Sequence, residues 1–255
     1  MAITTPRVAL VTGAARRIGR AIALTLAQRG WDVVVHYGHS AQEAQQTVAD
    51  IQALGQRAVA IACDLSDETA TKLLLSRANA ALGPVSCIVN NASLFDYDDA
   101  ATFSTAVLET HMRANLAAPV LLAQALHAAT PNDAQSVVIN LLDQKLFNLN
   151  PDFLSYTLSK AALQSATIML AQALAPQVRV VGIAPGITMV SGDQTESEFA
   201  QAHKATPLGR SSTPQDIANT VCFVADSPAM TGTTLLVDGG QHLIPLQRDV
   251  MFVTP

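Results

Sequence analysis

A phenol and an ammonium stand four residues apart in the second half of the chain, at Tyr156 and Lys160. On a helix this spacing places both side chains on one face, one turn apart. A tyrosine, whose pKa is ordinarily near ~10, donates its proton readily at neutral pH only where its anion is stabilised, and a neighbouring cation supplies that stabilisation. The pair therefore indicates proton transfer, although the same spacing also arises by chance on surface helices.

A glycine-containing turn follows the first predicted strand, in the run T-G-A-A-R-R-I-G from Thr12 to Gly19. Gly13 permits a tight turn, the two alanines allow close backbone approach, and N–H groups at the start of the next helix can receive a pyrophosphate. Taken alone, the spacing also fits an ordinary connection between a strand and a helix. Its place after the first strand and its two arginines favour a dinucleotide site.

The loop after the second predicted strand carries no carboxylate between His36 and Ser40. Sites that bind NAD usually place a carboxylate here, which accepts from the ribose 2′-hydroxyl and would repel a 2′-phosphate. Because Arg16 is expected nearby and His39 and Ser40 can donate hydrogen bonds, the charges favour NADP(H). His36 and His39 could also be ordinary loop histidines.

The elements that must position these groups are short β-branched runs alternating with segments of helical period, a pattern typical of a parallel sheet with crossover helices. We predict a single α/β domain over residues 1–255, with a Rossmann-type, doubly wound, seven-stranded parallel sheet and helices on both faces. The predicted strands are 7–11, 32–36, 58–62, 85–90, 136–141, 178–183 and 234–237, and helices begin near Arg17, Ser40, Ser66, Thr105, Phe153 and Pro214. Since ligands of such sheets bind where the strands end, the chemistry is expected at that edge.

Composition excludes several classes of function. The 255 residues are 49% hydrophobic and 14% charged, which is too apolar for a disordered chain, and 15 Lys+Arg against 20 Asp+Glu leave no basic footprint for nucleic acid. Cys63, Cys87 and Cys222 are widely spaced and form no C-x-x-C pair, so we expect buried reduced thiols and no metal site. No membrane span or secretion signal is recognised, and a cytoplasmic protein is expected.

Together these motifs resemble the short-chain dehydrogenase/reductase family. The resemblance rests on the T-G-x3-G-x-G turn, the Y-x3-K pair after the fifth strand, and the run V-D-G-G that ends at Gly240. Arg17 stands where the family's middle glycine would be, and the pteridine reductases of that family show the same replacement. The resemblance covers nearly the whole chain and implies a homotetramer.

An aspartate stands where most members of the family have a serine, about a dozen residues before the tyrosine. Asp143 lies thirteen positions ahead of Tyr156, which again resembles the pteridine reductases. An ionised carboxylate only accepts hydrogen bonds and opposes a carbonyl that gains negative charge, whereas a nitrogen heterocycle offers donors. We predict that Asp143 and Tyr156 share a proton that is delivered to a ring nitrogen, with Lys160 lowering the pKa of the phenol. The alternative is an enzyme that has lost or relocated its serine.

The resemblance assigns roles to further residues. Asn115 matches the asparagine that supports the catalytic lysine through water, which completes a predicted catalytic set with Asp143, Tyr156 and Lys160. Phe95 matches the ring that covers a pterin, and Ser93 a serine that faces the cofactor. Cofactor contacts are implied for Gly13, Arg16, Arg17, Ile18, Gly19, His36, His39, Ser40, Asp64, Leu65, Asn91, Ala92, Ser93, Tyr156, Lys160, Pro185 and Gly186, and substrate contacts for Ser93, Phe95, Asp143 and Tyr156.

Two further segments are expected near the site. The turn at Pro185 and Gly186 resembles the family's turn whose backbone faces the nicotinamide amide, and the polar stretch from there to Thr213 should form a lid over the substrate. The apolar tail, residues 241–255, should dock on its own or a neighbouring subunit, or close the active site.

These observations predict an NADPH-dependent reductase of a dihydropterin, such as dihydromonapterin, or of dihydrofolate. Two alternatives stay open. One is a short-chain reductase of another carbonyl or imine, including sugars and 3-ketoacyl thioesters. The other is a nucleotide-binding regulator without turnover, against which the retention of both Tyr156 and Lys160 argues.

Overall fold

The computed structural model describes residues 7–190 and 195–252. Its strands are β1 (Val8–Val11), β2 (Asp32–Tyr37), β3 (Ala58–Ala62), β4 (Cys87–Asn90), β5 (Ser136–Leu141), β6 (Val178–Pro185) and β7 (Thr234–Val237). Its α-helices are α1 (Arg17–Gln28), α2 (Ala41–Ala53), α3 (Glu68–Leu82), α4 (Thr105–Met112), α5 (Ala118–Ala129), α6 (Leu154–Ala173), α7 (Glu196–Lys204) and α8 (Pro214–Ala225). Each predicted strand and helix start is confirmed to within two residues.

The seven strands form one parallel sheet in the order β3-β2-β1-β4-β5-β6-β7. The order reverses between β1 and β4, and at such a switch point the crossovers leave a crevice beyond the strand ends. The predicted fold class, a doubly wound α/β domain, is confirmed.

Two apolar layers cover the sheet, which explains why its strands are apolar without alternation. In β1, Ala9 and Val11 pack into the layer that contains α1, α2 and α8, whereas Val8 and Leu10 pack into the layer that contains α3 and α5. Because successive side chains point to opposite faces of a strand, each strand contributes to both layers. The strands are thereby fixed by packing on both faces, and the loops at their ends can hold the functional residues.

One helix was missed by the sequence prediction. Helix α7 lies within the polar stretch that is predicted to form a lid, and it begins at a capping box in which Thr195 and Glu198 hydrogen-bond reciprocally. The T-x-x-E pattern that signals such a start was present in the sequence. The predicted lid also includes residues 191–194, and the predicted domain includes residues 1–6 and 253–255, all of which lie outside the described residues.

A second departure interrupts the helix predicted from Thr105. Between α4 and α5 the backbone forms a π-helical segment, Arg113–Ala117, with Asn115 at its centre. Single π turns inside α-helices often occur at functional sites, because they re-aim one side chain.

No helix of the described residues is long and apolar enough to cross a membrane. The three cysteines are buried and free, as predicted.

Candidate active site

A cavity opens at the C-terminal edge of the sheet, beyond β1, β4, β5 and β6. It is lined by ten of the residues singled out from the sequence, namely Arg17, Ile18, Asn91, Ser93, Phe95, Asp143, Tyr156, Lys160, Pro185 and Gly186. The parallel sheet thus brings together groups that are up to 169 positions apart in the chain, the difference between 186 and 17.

The predicted proton-transfer groups meet in this cavity. Asp143 follows β5, and Tyr156 and Lys160 lie one turn apart in the first half of α6. The Tyr156 hydroxyl donates to Asp143 Oδ2 at 2.7 Å, and the Lys160 ammonium donates to the Leu141 carbonyl at 2.8 Å, with Nζ 5.7 Å from the centre of the Tyr156 ring. Tyr156 is 7% and Lys160 3% exposed, so these groups interact largely without water.

Burial has the largest effect on the pKa values of Asp143, Tyr156 and Lys160. It raises the pKa of the Asp143 carboxyl, raises that of Tyr156 well above its ordinary value with the charge of Asp143 adding to the effect, and lowers the pKa of Lys160 to about 8. The pKa of the phenol is therefore raised overall, and the lowering of it by Lys160 stays a prediction. The Lys160 ammonium donates to a backbone carbonyl, and its charge opposes the rise in the pKa of Asp143.

The turn after β1 is held tightly against the end of β4. Asn91 Nδ2 donates to the carbonyls of Thr12 and Gly13, and the Thr12 hydroxyl accepts from the backbone N–H groups of Asn91 and Ala92. A Cβ at position 19 would overlap the Gly13 carbonyl and lie 2.6 Å from Asn91 Nδ2. Gly19 is thus required for the close approach of α1 to this turn, as a dinucleotide cradle needs.

Arg17 adopts a backbone conformation that usually belongs to glycine. Its φ is +54°, in the left-handed region, at the position where the related motif has a glycine. An arginine here costs conformational energy that glycine would not, and such strain is typical of functional sites. Its guanidinium donates to the Val190 carbonyl at 2.9 Å and so crosses the cavity from α1 to the segment after β6.

His36 is buried behind the turn after β1, with both ring nitrogens engaged. The ring is 2% exposed, its Nδ1 accepts from the Gly13 N–H at 3.1 Å, and its Nε2 lies 3.0 Å from the Cys63 carbonyl. These partners require a neutral ring protonated at Nε2, in agreement with a pKa lowered to about 4 by burial. His36 therefore supports the Gly13 turn from behind, because its ring is buried between the Gly13 N–H and the Cys63 carbonyl, and its contact with the cofactor stays a prediction.

The residues predicted to surround the adenosine end lie at the surface. Arg16 immediately precedes α1, and its NH1 lies 3.9 Å from Glu43 Oε1, a carboxylate that the sequence analysis overlooked. Both side chains are about half exposed or more, so the ion pair is weak and the guanidinium can turn to a phosphate. His39 is exposed and Ser40 half-buried beside them. Across the loop, Asp64 is exposed and Leu65 half-buried, and the Asp64 carboxylate accepts from Ser66.

Asn115 connects two parts of the site. Its Oδ1 accepts from the Leu94 N–H at 2.8 Å and from the Ser93 hydroxyl at 3.2 Å, while its Nδ2 donates to the Leu94 carbonyl and to the Ser159 hydroxyl, each at 3.0 Å. Ser159 directly precedes Lys160. Asn115 therefore fixes the loop after β4 to α6, and its support of Lys160 through water stays a prediction.

Phe95 lies beside the reacting groups, as predicted. Its ring stacks on Phe153 with centroids 4.2 Å apart and meets Tyr156 edge-on at 4.7 Å. It lines the cavity and is 38% exposed, so part of the ring is available to a planar ligand. Phe153 is an aromatic neighbour that the sequence analysis had named only as a helix start.

The turn at Pro185 and Gly186 lines the cavity, but its N–H groups are engaged elsewhere. Gly186 donates to the Val237 carbonyl at 3.0 Å, and Ile187 donates to Gln241 Oε1 at 2.9 Å. The expectation that this backbone faces a cofactor amide is therefore incomplete, because Gln241, which sequence reasoning missed, holds the second N–H group.

The tail closes one side of the cavity on its own chain. Arg248 binds the buried carboxylate of Asp152 through Nε, at 3.0 and 2.9 Å. Lys145, whose side chain is 3% exposed, donates to Asp249 Oδ2 at 3.1 Å. Phe252 stacks on Phe153, and residues 249–251 line the cavity. Of the predicted placements, docking on the same chain and closure of the site are found, although residues 253–255 lie outside the described part.

Known proteins resemble this chain in sequence and structure. The profile of the family described as Enoyl-(Acyl carrier protein) reductase matches residues 13–242. The L-rhamnose 1-dehydrogenase (NAD(P)(+)) of Sphingomonas sp. (strain SKA58) is 32% identical over 244 residues, covering 92% of this chain and 95% of that protein. The structure of FolM alternative dihydrofolate reductase 1 from Brucella canis, complexed with NADP, has 39% identity and a TM-score of 0.90, with 95% of this chain and 96% of that one covered. A short chain dehydrogenase from Burkholderia cenocepacia J2315 in complex with NADP has 31% identity and a TM-score of 0.85, with 92% and 97% covered.

The doubly wound sheet, the turn before α1 and the Tyr156–Lys160 pair define an oxidoreductase of the nucleotide-binding α/β class. Within that class, the chain belongs to the short-chain dehydrogenase/reductase family. The resemblance predicted from the sequence is confirmed, and its pteridine reductase aspect is supported by the FolM neighbour.

Proposed function

We propose that this protein is an NADPH-dependent reductase that converts a dihydropterin, of the dihydrofolate or dihydromonapterin type, to its tetrahydro form. The observation that carries this proposal is the hydrogen bond between Tyr156 and Asp143 Oδ2 inside the cavity. A carboxyl there, in place of a hydroxyl, suits protonation of a ring nitrogen better than stabilisation of a carbonyl oxygen.

The residues present fit NADP(H). A Cβ atom added at Gly19 would overlap its neighbours, and one added at Gly13 would be crowded. The turn therefore lets a ligand approach its backbone closely, and α1 begins directly behind it. Arg17 lines the cavity where a pyrophosphate would be held, and Arg16 can reach a 2′-phosphate. Relatives of known structure are complexed with NADP. When bound, the reduced nicotinamide supplies the hydride.

The chain's own residues supply and hold the proton. Because burial raises the pKa of both Asp143 and Tyr156, the pair retains a shared proton at higher pH than two separate solvated groups would. Tyr156 or Asp143 can then release it to the ring nitrogen as the substrate's C=N bond is reduced. Lys160, one turn away, offsets the negative charge that the pair is left with.

Reduction of an ordinary carbonyl is less well supported. An ionised Asp143 would repel the oxyanion that forms, and no serine stands at its position. The rhamnose dehydrogenase and the enoyl reductase description show that relatives act on other substrates, so carbonyl substrates belong in the test.

The subunits are proposed to form a homotetramer. Helix α6 exposes Leu158, Ile168 and Met169, which are 45%, 47% and 66% exposed. Such apolar side chains on a helix that also carries the site favour burial against a second copy. Light scattering of the purified protein distinguishes a tetramer from a monomer.

The decisive experiment measures NADPH oxidation with 7,8-dihydrobiopterin, 7,8-dihydrofolate, a 3-ketoacyl thioester and L-rhamnonolactone as separate substrates. Turnover of a dihydropterin or dihydrofolate, well above that of the other two, supports the proposal. Preferred turnover of the thioester or the sugar derivative contradicts it. Binding of the antifolate methotrexate in competition with the pterin provides a check that does not depend on turnover.

A further inference from the structure

One polar group in the catalytic cavity is left without a partner. Gln144 directly follows Asp143, begins a short 3₁₀ turn, and lines the same cavity as Asp143 and Tyr156. The residue is 9% exposed, and its side-chain oxygen Oε1 is buried with no hydrogen-bond partner. Leaving a buried acceptor unpaired destabilises the fold, so proteins rarely do so without a reason.

The missing hydrogen bond sets Gln144 apart from the residues next to it in the chain. Its neighbours in the chain are satisfied, since Asp143 accepts from Tyr156 and from the Lys145 N–H, and the Lys145 ammonium binds Asp249. In the part of the chain that the structure describes, the other unpaired buried side-chain atoms belong to Trp31, Asn90 and Thr206. None of those three residues lines the catalytic cavity.

We propose that Gln144 is a specificity-determining residue whose side-chain oxygen Oε1 accepts a hydrogen bond from an N–H group of the substrate. This inference rests on the proposed function. It deepens that function by stating what the substrate must carry: a heterocycle with a hydrogen-bond donor, such as a ring N–H or an amino group, as well as the reducible C=N bond.

A 7,8-dihydropterin meets this requirement. Its reducible bond is C6=N5, and it carries N–H donors at N3, at N8 and on the amino group at C2. A residue adjacent to Asp143 is suited to reach one of these donors once Asp143 and Tyr156 face the reacting nitrogen. The amide oxygen accepts in this pairing, and the soft terminal torsion of glutamine lets it turn towards the donor.

The test compares Gln144→Met with wild type. Methionine keeps the length and shape of the side chain and removes both polar atoms. Isothermal titration calorimetry measures the Kd of 7,8-dihydrobiopterin for the NADP⁺-saturated protein, and thermal unfolding measures stability. Gln46→Met on the exposed face of α2 is the matched control, because Gln46 is exposed and its side chain donates to Asp50 at the surface.

We expect Gln144→Met to raise the Kd by about tenfold or more while Tm is unchanged or higher, since an unpaired buried atom has been removed. The control should leave the Kd unchanged. A wild-type Kd in Gln144→Met overturns this inference and leaves the proposed function intact. A parallel fall in Tm and affinity also overturns it, because it assigns Gln144 to the fold. If wild type binds no dihydropterin, the proposed function itself has failed.

Discussion

The Tyr156 hydroxyl and the Asp143 carboxylate share a hydrogen bond of 2.7 Å inside a cavity that the sheet, the loop after β4 and the tail enclose. Tyr156 comes from a helix and Asp143 from the end of a strand, so the distance between them depends on how α6 packs against β5.

Replacing Asp143 should impair reduction of the pterin more than binding of the cofactor. For Asp143→Ser and Asp143→Asn we expect kcat with 7,8-dihydrobiopterin to fall by about 100-fold or more, because the acid that completes the pair is lost. NADPH oxidation under saturating conditions measures this, with Asp133→Asn on an exposed loop as control. Unchanged turnover in Asp143→Ser would remove Asp143 from the mechanism.

Neutralising Asp249 should move the pH profile of the reaction. The negative charge of Asp249 raises the pKa values of both Asp143 and Tyr156, because it disfavours loss of their protons. In Asp249→Asn both pKa values should fall, and the buried charge of Lys145, no longer paired, acts in the same direction. The alkaline limb of the kcat profile should therefore move to lower pH. Movement to higher pH contradicts this assignment of charges.

Removing the buried ammonium of Lys145 should loosen the tail. In Lys145→Met the Asp249 carboxylate loses its partner, so we expect the free energy of unfolding to fall by roughly 2–4 kcal/mol and KM for the substrate to rise. Lys72→Met breaks an exposed ion pair with Glu68 and should cost less than about 0.5 kcal/mol. Urea unfolding and steady-state kinetics give the two readouts. Equal losses of unfolding free energy in both variants would show that the buried ion pair stabilises the fold no more than the exposed one.

Crowding the nucleotide turn should affect stability and cofactor binding together. In Gly19→Ala the new Cβ meets the Gly13 carbonyl and Asn91, so the turn must move. We expect a loss of roughly 1–3 kcal/mol in stability and NADPH binding weaker by about tenfold or more. Gly38→Ala is the matched control, since a Cβ there meets nothing within 4 Å. Full NADPH affinity in Gly19→Ala would separate this turn from the cofactor.

The buried His36 should make stability depend on pH. Its pKa is about 4 in the folded chain and 6.5 without the fold, because burial disfavours the charged ring and the charge of Arg77 adds to this. Below pH 6.5 the unfolded chain therefore binds more protons, and stability falls as the pH drops towards 4. Relative to His36→Asn, the wild type should lose about 2 kcal/mol between pH 7 and pH 5, measured by urea unfolding. Parallel curves for the two proteins would contradict the buried neutral ring.

The sequence by itself determined the class of fold and most of the residues at the site. Strands such as V-V-V at 33–35 are apolar on both faces, and their alternation with helical segments leaves a doubly wound sheet as the natural solution. That topology alone brings the ends of β1, β4, β5 and β6 to one edge. Tyr156 and Lys160 could be paired from their spacing, because helical periodicity is local.

The tertiary structure decided which contacts these side chains make and how deeply they are buried, because residue spacing along the chain does not determine either. The His36 ring supports the Gly13 turn because it is buried between the Gly13 N–H and the Cys63 carbonyl, and the Lys160 ammonium donates to the Leu141 carbonyl. The tail lines the cavity because Lys145 and Asp152 bind residues about one hundred positions away. Burial sets the protonation of the site, and burial is a property of the packed chain, which no short run of residues contains.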